Sequence, residues 1–277
     1  MLCSRGEYAK AKCHLEKALA VSQDIGDKEG EAVDYTNLGT VFHSLGEYRK
    51  AKEYFEKALA LSTDIGDREG EAADYGNLGT VFRSLGEYGK AKEYIENAIA
   101  IRKDIGDREG EAADYGNLGN VFRDTGEYCK AKEYYEKALE IRKQVCDREG
   151  ESADYADLGT VFHHLGDYEN AKERHEKAFV ISKEIGEKRR EGSCYGNLGI
   201  AFYFLRGYNK AKECHMKALA ISKETGNKEG EAAEYGNLGN VFYSLKEYGK
   251  AKGQLEKALA IRKDIGDRKG EGSLTET

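Results

Sequence analysis

The chain has 277 residues, 34% of them charged and 39% apolar, with 44 basic and 51 acidic side chains and a formal net charge of -7. That length can bury a sizeable core, but the two signs are finely mixed, so no basic stripe exists to neutralise phosphates and no polybasic patch to meet anionic lipid; nucleic acid and membrane insertion are disfavoured. No apolar run approaches the ~20 residues of a spanning helix, the first residues lack the apolar segment of a signal peptide, and the six cysteines (Cys3, Cys13, Cys129, Cys146, Cys194, Cys214) share no common spacing, so the chain reads as cytoplasmic with free thiols.

Taken in order, a lone helix is expected first, from about Gly6 to Ile25, with residues 1–26 forming a half-unit. From Asp27 a forty-residue unit then repeats without insertion or deletion. DREGEAADYGNLG begins at Asp67 and again at Asp107, and Tyr8, Tyr48, Tyr88, Tyr128, Tyr168, Tyr208 and Tyr248 keep the same register. A strict period of this length implies stacked supersecondary units. Six complete units follow: 27–66, 67–106, 107–146, 147–186, 187–226 and 227–266.

Within 67–106 the spacing predicts a first helix from Arg68 to Leu85, with Ala72, Tyr75, Leu78, Phe82 and Leu85 on one stripe. A second helix is predicted from Glu87 to Ile105, with Tyr88, Ala91, Ile95, Ala98, Ile99 and Ile105 inward. Gly86 and Gly106 sit where each helix needs a left-handed stop, and Asp107 can cap the next helix with its carboxylate. No segment alternates with period two and there is no proline, so the fold class is all-α, with about thirteen helices. Residues 267–277 open another first helix and break off in a polar tail, which suggests a longer array or one with unprotected ends. Cys146 replaces a stop glycine and Glu187 a capping aspartate, which places the expected soft point at the junction of the fourth and fifth units.

Leu38, Gly39, Phe42, Gly46, Tyr48, Ala51 and Ala58 recur at the spacing of the tetratricopeptide consensus, with Tyr35 where many members carry Trp. The chain resembles that family over essentially its whole length, and the resemblance implies a helical-hairpin solenoid winding as a right-handed superhelix. The unit departs from the commonest form in having forty residues and no proline after its second helix. YGNLGN, GEYxKAKEYxEKALAI and DIGDREGEA, with His175-Glu176-Lys177, are similar to the units of the LGN/Pins group of spindle-orientation adaptors. In that group the repeats bind extended peptides of cortical and microtubule-associated partners. Its separate GoLoco motifs, which bind Gαi, are not among these residues.

At 100° per residue, Asn77 lies about 160° from the middle of the Tyr75, Phe82, Leu85 stripe and points away from the pair's core. Ala73, Thr80 and Ser84 share its face, and the resemblance implies that first helices line the concave wall. The same slot holds Asn37, Asn77, Asn117, Asn197 and Asn237, with Asp157 in the fourth unit. An amide both donates and accepts, so a ladder of them can pair with the backbone of an extended peptide without reading its sequence. The alternative is that each Asn bonds to a neighbouring helix and only stiffens the stack. His43, Arg83, Arg123, His163, Tyr203, Phe204 and Tyr243 complete the candidate groove. Arg83 and Arg123 suit an acidic stretch of ligand; Ile200, Tyr203, Phe204 and Tyr243 suit apolar side chains. Against this stand solvated arginines and a patch that packs on a neighbouring repeat.

His163, His164 and His175, or Cys194, Cys214 and His215, can be drawn as metal clusters but lack the paired spacing of a structural zinc site. His175 and His215 occupy the slot of Phe55, Ile95, Tyr135 and Leu255, so each is expected as a neutral imidazole half-buried between helices. There is no GxGxxG, GxxxxGK[ST], HExxH or GxSxG motif, and carboxylates such as Glu93 and Glu96 belong to a solvated face. The expectation is a non-enzymatic adaptor without metal or cofactor that binds an extended partner peptide, cytoplasmic or, by the LGN/Pins resemblance, at the cell cortex or cytoskeleton. The competing expectation is a structural spacer or self-assembling solenoid that stacks end to end.

Overall fold

In the computed structural model residues 2–266 are described, and every element among them is an α-helix. In chain order these are α1 (Leu2–Ile25), α2 (Lys28–Ser44), α3 (Tyr48–Ile65), α4 (Arg68–Ser84), α5 (Tyr88–Ile105), α6 (Arg108–Asp124) and α7 (Tyr128–Gln144). There follow α8 (Arg148–His164), α9 (Tyr168–Glu184), α10 (Lys188–Phe204), α11 (Tyr208–Glu224), α12 (Lys228–Ser244) and α13 (Tyr248–Ile265). The expected truncated unit at 267–277 lies outside the described residues.

The punctuation follows local chemistry. Asp27, Asp67, Asp107, Asp147 and Asn227 each accept a hydrogen bond from the backbone N–H three residues on, satisfying an amide that the helix cannot. Glu187 makes no such bond, its side chain being one methylene too long for the turn. Gly86 and Gly106 take the left-handed conformation, both at φ 76°. The Gly86 N–H then donates to the Arg83 carbonyl and the Glu87 N–H to that of Phe82, closing the end of α4.

The helices form two compact units, one ending at Cys146 and the other beginning at Asp147. In the first, each helix packs on the next in the chain, and α2 also touches α4, as α4 does α6. Within a pair, glycine allows the approach: a Cβ on Gly79 would lie 2.4 Å from Ile95 Cγ1, and both α4 and α5 close on that contact. Phe82, Leu78, Ile95, Leu118 and Tyr135 are fully buried or nearly so, each stabilising the fold by about 1.5–3 kcal/mol through the apolar surface it removes from water. In the second unit the same order holds from α8 to α13, with α8 touching α10 and α10 touching α12. There a Cβ on Gly159 would collide with the ring of His175, and one on Gly199 with that of His215.

Some expectations need correcting. Helix α1 starts at Leu2, earlier than Gly6. Ile105 is exposed, because it is the last residue of α5 beside the Gly106 stop; Ile101, one turn earlier, takes the buried place. The left-handed stops also include Arg206 and Lys246 alongside Cys146, all at φ near 60°.

Candidate groove

In the first unit the ladder residues stand on the first-type helices α2, α4 and α6, Asn37 exposed and Asn77 and Asn117 half-buried. Among the described residues the side chains of Asn37 and Asn77 make no hydrogen bond to the protein. Asn117 is held differently, since its amide bonds to the Asp114 carboxyl on the same helix. His43 is half-buried; its Nε2 lies 3.3 Å from Ser84 Oγ and its ring packs on Tyr48. Burial, with Arg83 nearby, holds the His43 imidazole below its ordinary pKa and therefore neutral.

Arg83 and Arg123 are brought together, but around a residue the sequence reading passed over. Arg83 Nε lies 3.5 Å from Asp124 Oδ2, and Arg123 Nε 3.6 Å from Asp124 Oδ1. Asp124 occupies the slot of Ser44 and Ser84, so its charge is the one signal that marked it in advance. The basic patch is thus partly neutralised from within, and loose, half-exposed ion pairs of this length contribute little.

Behind the ladder a row of buried acids was also missed. Asp74 accepts from Thr36 Oγ1 at 2.7 Å and Ser62 Oγ at 3.0 Å, and Asp114 accepts from Arg102 Nε at 2.7 Å. Burial pushes both carboxyls up to about 6, against the hydrogen bonds that favour their ionised forms.

In the second unit Asp157 and Asn197 are half-buried on α8 and α10, and Asn237 on α12. Among the described residues Asn197 and Asn237 have no side-chain hydrogen bond within the protein. Asn197 lines a cavity of about 110 Å³ with Thr160, His163, His175 and Ile200. Asn237 lines a second, of about 190 Å³, with Ile200, Tyr203, Phe204, His215 and Asn240. Phe204 stacks on Tyr168 with centroids 4.7 Å apart and meets His163 edge-on at 4.9 Å, while Ser244 Oγ donates to the Tyr203 hydroxyl at 3.1 Å. Tyr243 is exposed and stands apart from these cavities, packed on Tyr248 beside Leu255 and Leu259 of α13.

The two histidines expected to be half-buried are in fact buried, His175 at 3% exposure and His215 at 1%. They floor the two cavities, which sequence reasoning did not anticipate. His215 Nδ1 lies 2.7 Å from Glu234 Oε2 on α12. One repeat earlier the place of Glu234 is taken by Cys194, whose thiol burial pushes up to about 11, and His175 Nδ1 has no hydrogen-bond partner. Burial lowers His175 to about 4, so its ring is neutral at physiological pH. Among the described residues no three His, Cys, Asp or Glu side chains are grouped to hold a metal ion, and no helix is long and apolar enough to cross a membrane. Cys13, Cys129, Cys146, Cys194 and Cys214 are free thiols.

The model of the tetratricopeptide repeat family matches residues 1–64, 67–144, 151–224 and 206–264. The chain belongs to the tetratricopeptide repeat family. Solved tetratricopeptide-like folds are similar to it at low identity. BtubC (BKLC) from P. vanneervenii is 20% identical with a TM-score of 0.70, over 79% of this chain and 92% of that one. A signal transduction ATPase with numerous domains (STAND) protein with a tetratricopeptide repeat sensor, from Pyrococcus horikoshii, is 21% identical, TM-score 0.79, over 98% of this chain but 42% of that one, so this chain spans less than half its length. The apo form of RapI is 15% identical, TM-score 0.74, over 95% and 94%. These likenesses show the fold. No curated protein matches the chain by sequence. The tetratricopeptide fold is typically a non-enzymatic scaffold for protein–protein interaction.

Proposed function

We propose that this tetratricopeptide repeat protein is an adaptor that holds extended peptide of a partner protein against the first-type helices of each unit, α2, α4 and α6 in the first and α8, α10 and α12 in the second. The observation that carries this is the state of the ladder. Asn37, Asn77, Asn197 and Asn237 recur at one slot, reach the surface, and among the described residues spend no side-chain hydrogen bond on the protein. An amide used only to stiffen the stack would be bonded to a neighbouring helix; one kept for a ligand offers both a donor and an acceptor to a peptide backbone. His43, Arg83, Arg123 and Asp157 flank the path in their respective units, and an acidic ligand stretch at Arg83 and Arg123 competes with Asp124 for the guanidinium groups. The resemblance to the LGN/Pins units supplies a cellular version of this role, a cytoplasmic adaptor of spindle orientation or cell polarity working at the cortex.

The test is peptide capture. Peptides selected from a phage-displayed random library on the full chain are expected to lose about tenfold or more in affinity for Asn197→Ala combined with Asn237→Ala, two lost hydrogen-bond pairs at ~1 kcal/mol each. Unchanged affinity in a variant of intact helicity would sink the groove. The double change Asn117→Ala with Arg123→Ala asks the same of the first unit.

A further inference from the structure

The two cavities of the second unit share Ile200 as a common wall, and each lies beside one ladder asparagine. They differ in size and chemistry. The smaller presents Thr160, His163, Asn197 and the neutral ring of His175, a set of uncharged hydrogen-bonding groups. The Thr160 hydroxyl donates to the Ala156 carbonyl at 3.1 Å, which leaves its lone pairs to accept. The larger is walled by Tyr203 and Phe204, and the histidine beneath it is already taken up by Glu234.

No Asp, Glu, Lys or Arg side chain lines either cavity, so a charged ligand group would be stripped of water there without any of these as a counter-charge. His175 has the opposite problem. Its Nδ1 is buried and unpartnered, and among the described residues no hydrogen bond to the protein holds the ring that lines the smaller cavity, so this imidazole is not committed to a carboxylate as His215 is to Glu234.

Spacing fixes the register. The first-type helices α8, α10 and α12 touch in sequence and packed helices lie ~8–10 Å apart, close to the ~9 Å that three residues of a polyproline II peptide span at ~3.1 Å each, so every third side chain faces the same wall about one first-type helix further on.

We infer that the groove of the second unit reads an uncharged peptide segment in a polyproline II conformation, placing a hydroxyl or carboxamide side chain in the His175 cavity and an apolar side chain, three residues away, in the cavity between Tyr203 and Phe204. His175 is then the residue that determines specificity at the first position. This rests on the peptide-binding reading above, with the asparagines gripping the backbone and the cavities reading side chains.

The experiment is a phage-displayed library of random dodecapeptides, selected in parallel on the full chain and on His175→Phe. Phenylalanine is the residue of this slot at Phe55, so the packing is kept; His175→Leu, after Leu255, serves as a second variant. The chain itself is expected to enrich Ser, Thr, Asn or Gln at one position and Leu, Ile, Phe or Tyr three residues away. Both variants are expected to lose the first preference, keep the second, and bind a synthetic consensus peptide about tenfold more weakly, the worth of one hydrogen bond to an otherwise unpaired group. A purely structural histidine would leave the preference unmoved. Selection of charged residues at the first position, or the same consensus from His175→Phe, overturns the inference. Peptides that lose affinity for Asn197→Ala with Asn237→Ala but show no side-chain preference overturn this inference alone. Peptides indifferent to that double change, or no enrichment at all, overturn the adaptor reading with it.

Discussion

A carboxyl group buried between helices is stabilised or tolerated according to its proton. Asp74 sits at 1% exposure against two hydroxyl donors and no cation, and burial raises it from 3.8 to about 6. Since the folded state holds this proton more tightly than the unfolded chain, the contribution is most favourable below about pH 4 and is lost as pH rises through 6. At pH 7 the full cost applies, about 3 kcal/mol by the size of the shift. Asp74→Asn keeps the shape and removes the charge. It is therefore expected to raise the thermal midpoint at pH 7 and to lose that advantage near pH 4, where the wild-type carboxyl is itself protonated; thermal melts of both proteins across pH 4–7 decide it. A variant less stable at pH 7 would show that Thr36 and Ser62 favour the carboxylate more than burial opposes it. Asp114 has Arg102 beside it, so the same change there would leave that half-buried guanidinium with Asp107 as its one remaining carboxylate and is expected to destabilise.

At the scale of the element, helix ends decide. Cys146, Arg206 and Lys246 hold φ near 60° where ten other turns among the described residues use glycine, a conformation that costs a side chain about 1 kcal/mol or more. Cys146→Gly and Lys246→Gly are each expected to gain about 1 kcal/mol, read as a higher midpoint in thermal circular dichroism, and Gly86→Ala to lose a similar amount. A fall for Cys146→Gly would mean that its side chain makes a contact worth more than the strain. The stops at Gly86 and Gly106 were legible because glycine is the usual left-handed residue. Arg206 was not, since the glycine at Gly207 sits one position late; packing of α10 and α11 on their neighbours sets where the turn falls, and the chain adopts it with the residue it has.

Over the whole molecule, the pairs were legible because forty-residue repetition states the same contacts six times, and the asparagine slot because helix geometry alone turns Asn77 away from Phe82. The buried acids were not, since an Asp in a charged helix reads as solvated and the partners of Asp74 lie on two other helices, α2 and α3. The same limit hid Asp124 between Arg83 and Arg123, and the unlike fates of His175 and His215, which depend on whether the next first-type helix brings Cys194 or Glu234. What links these cases is nearest-neighbour packing: within each unit every helix touches the next in the chain, and first-type helices touch in sequence. Stability in such an array is close to a sum over neighbouring interfaces, so damage should stay local. Phe82, at 2% exposure, packs its ring on Tyr94 of α5 and takes Lys52 of α3 and Lys90 of α5 over its face. Phe82→Ala is expected to cost about 3–5 kcal/mol. Hydrogen exchange should then show lost protection in α4 and α5 and, more weakly, in α3 and α6, with α1 and α7 of the same unit close to wild type. An equal loss in all seven helices would show instead that the first unit unfolds as a single cooperative body, and that its interfaces are too strongly coupled to be summed one by one.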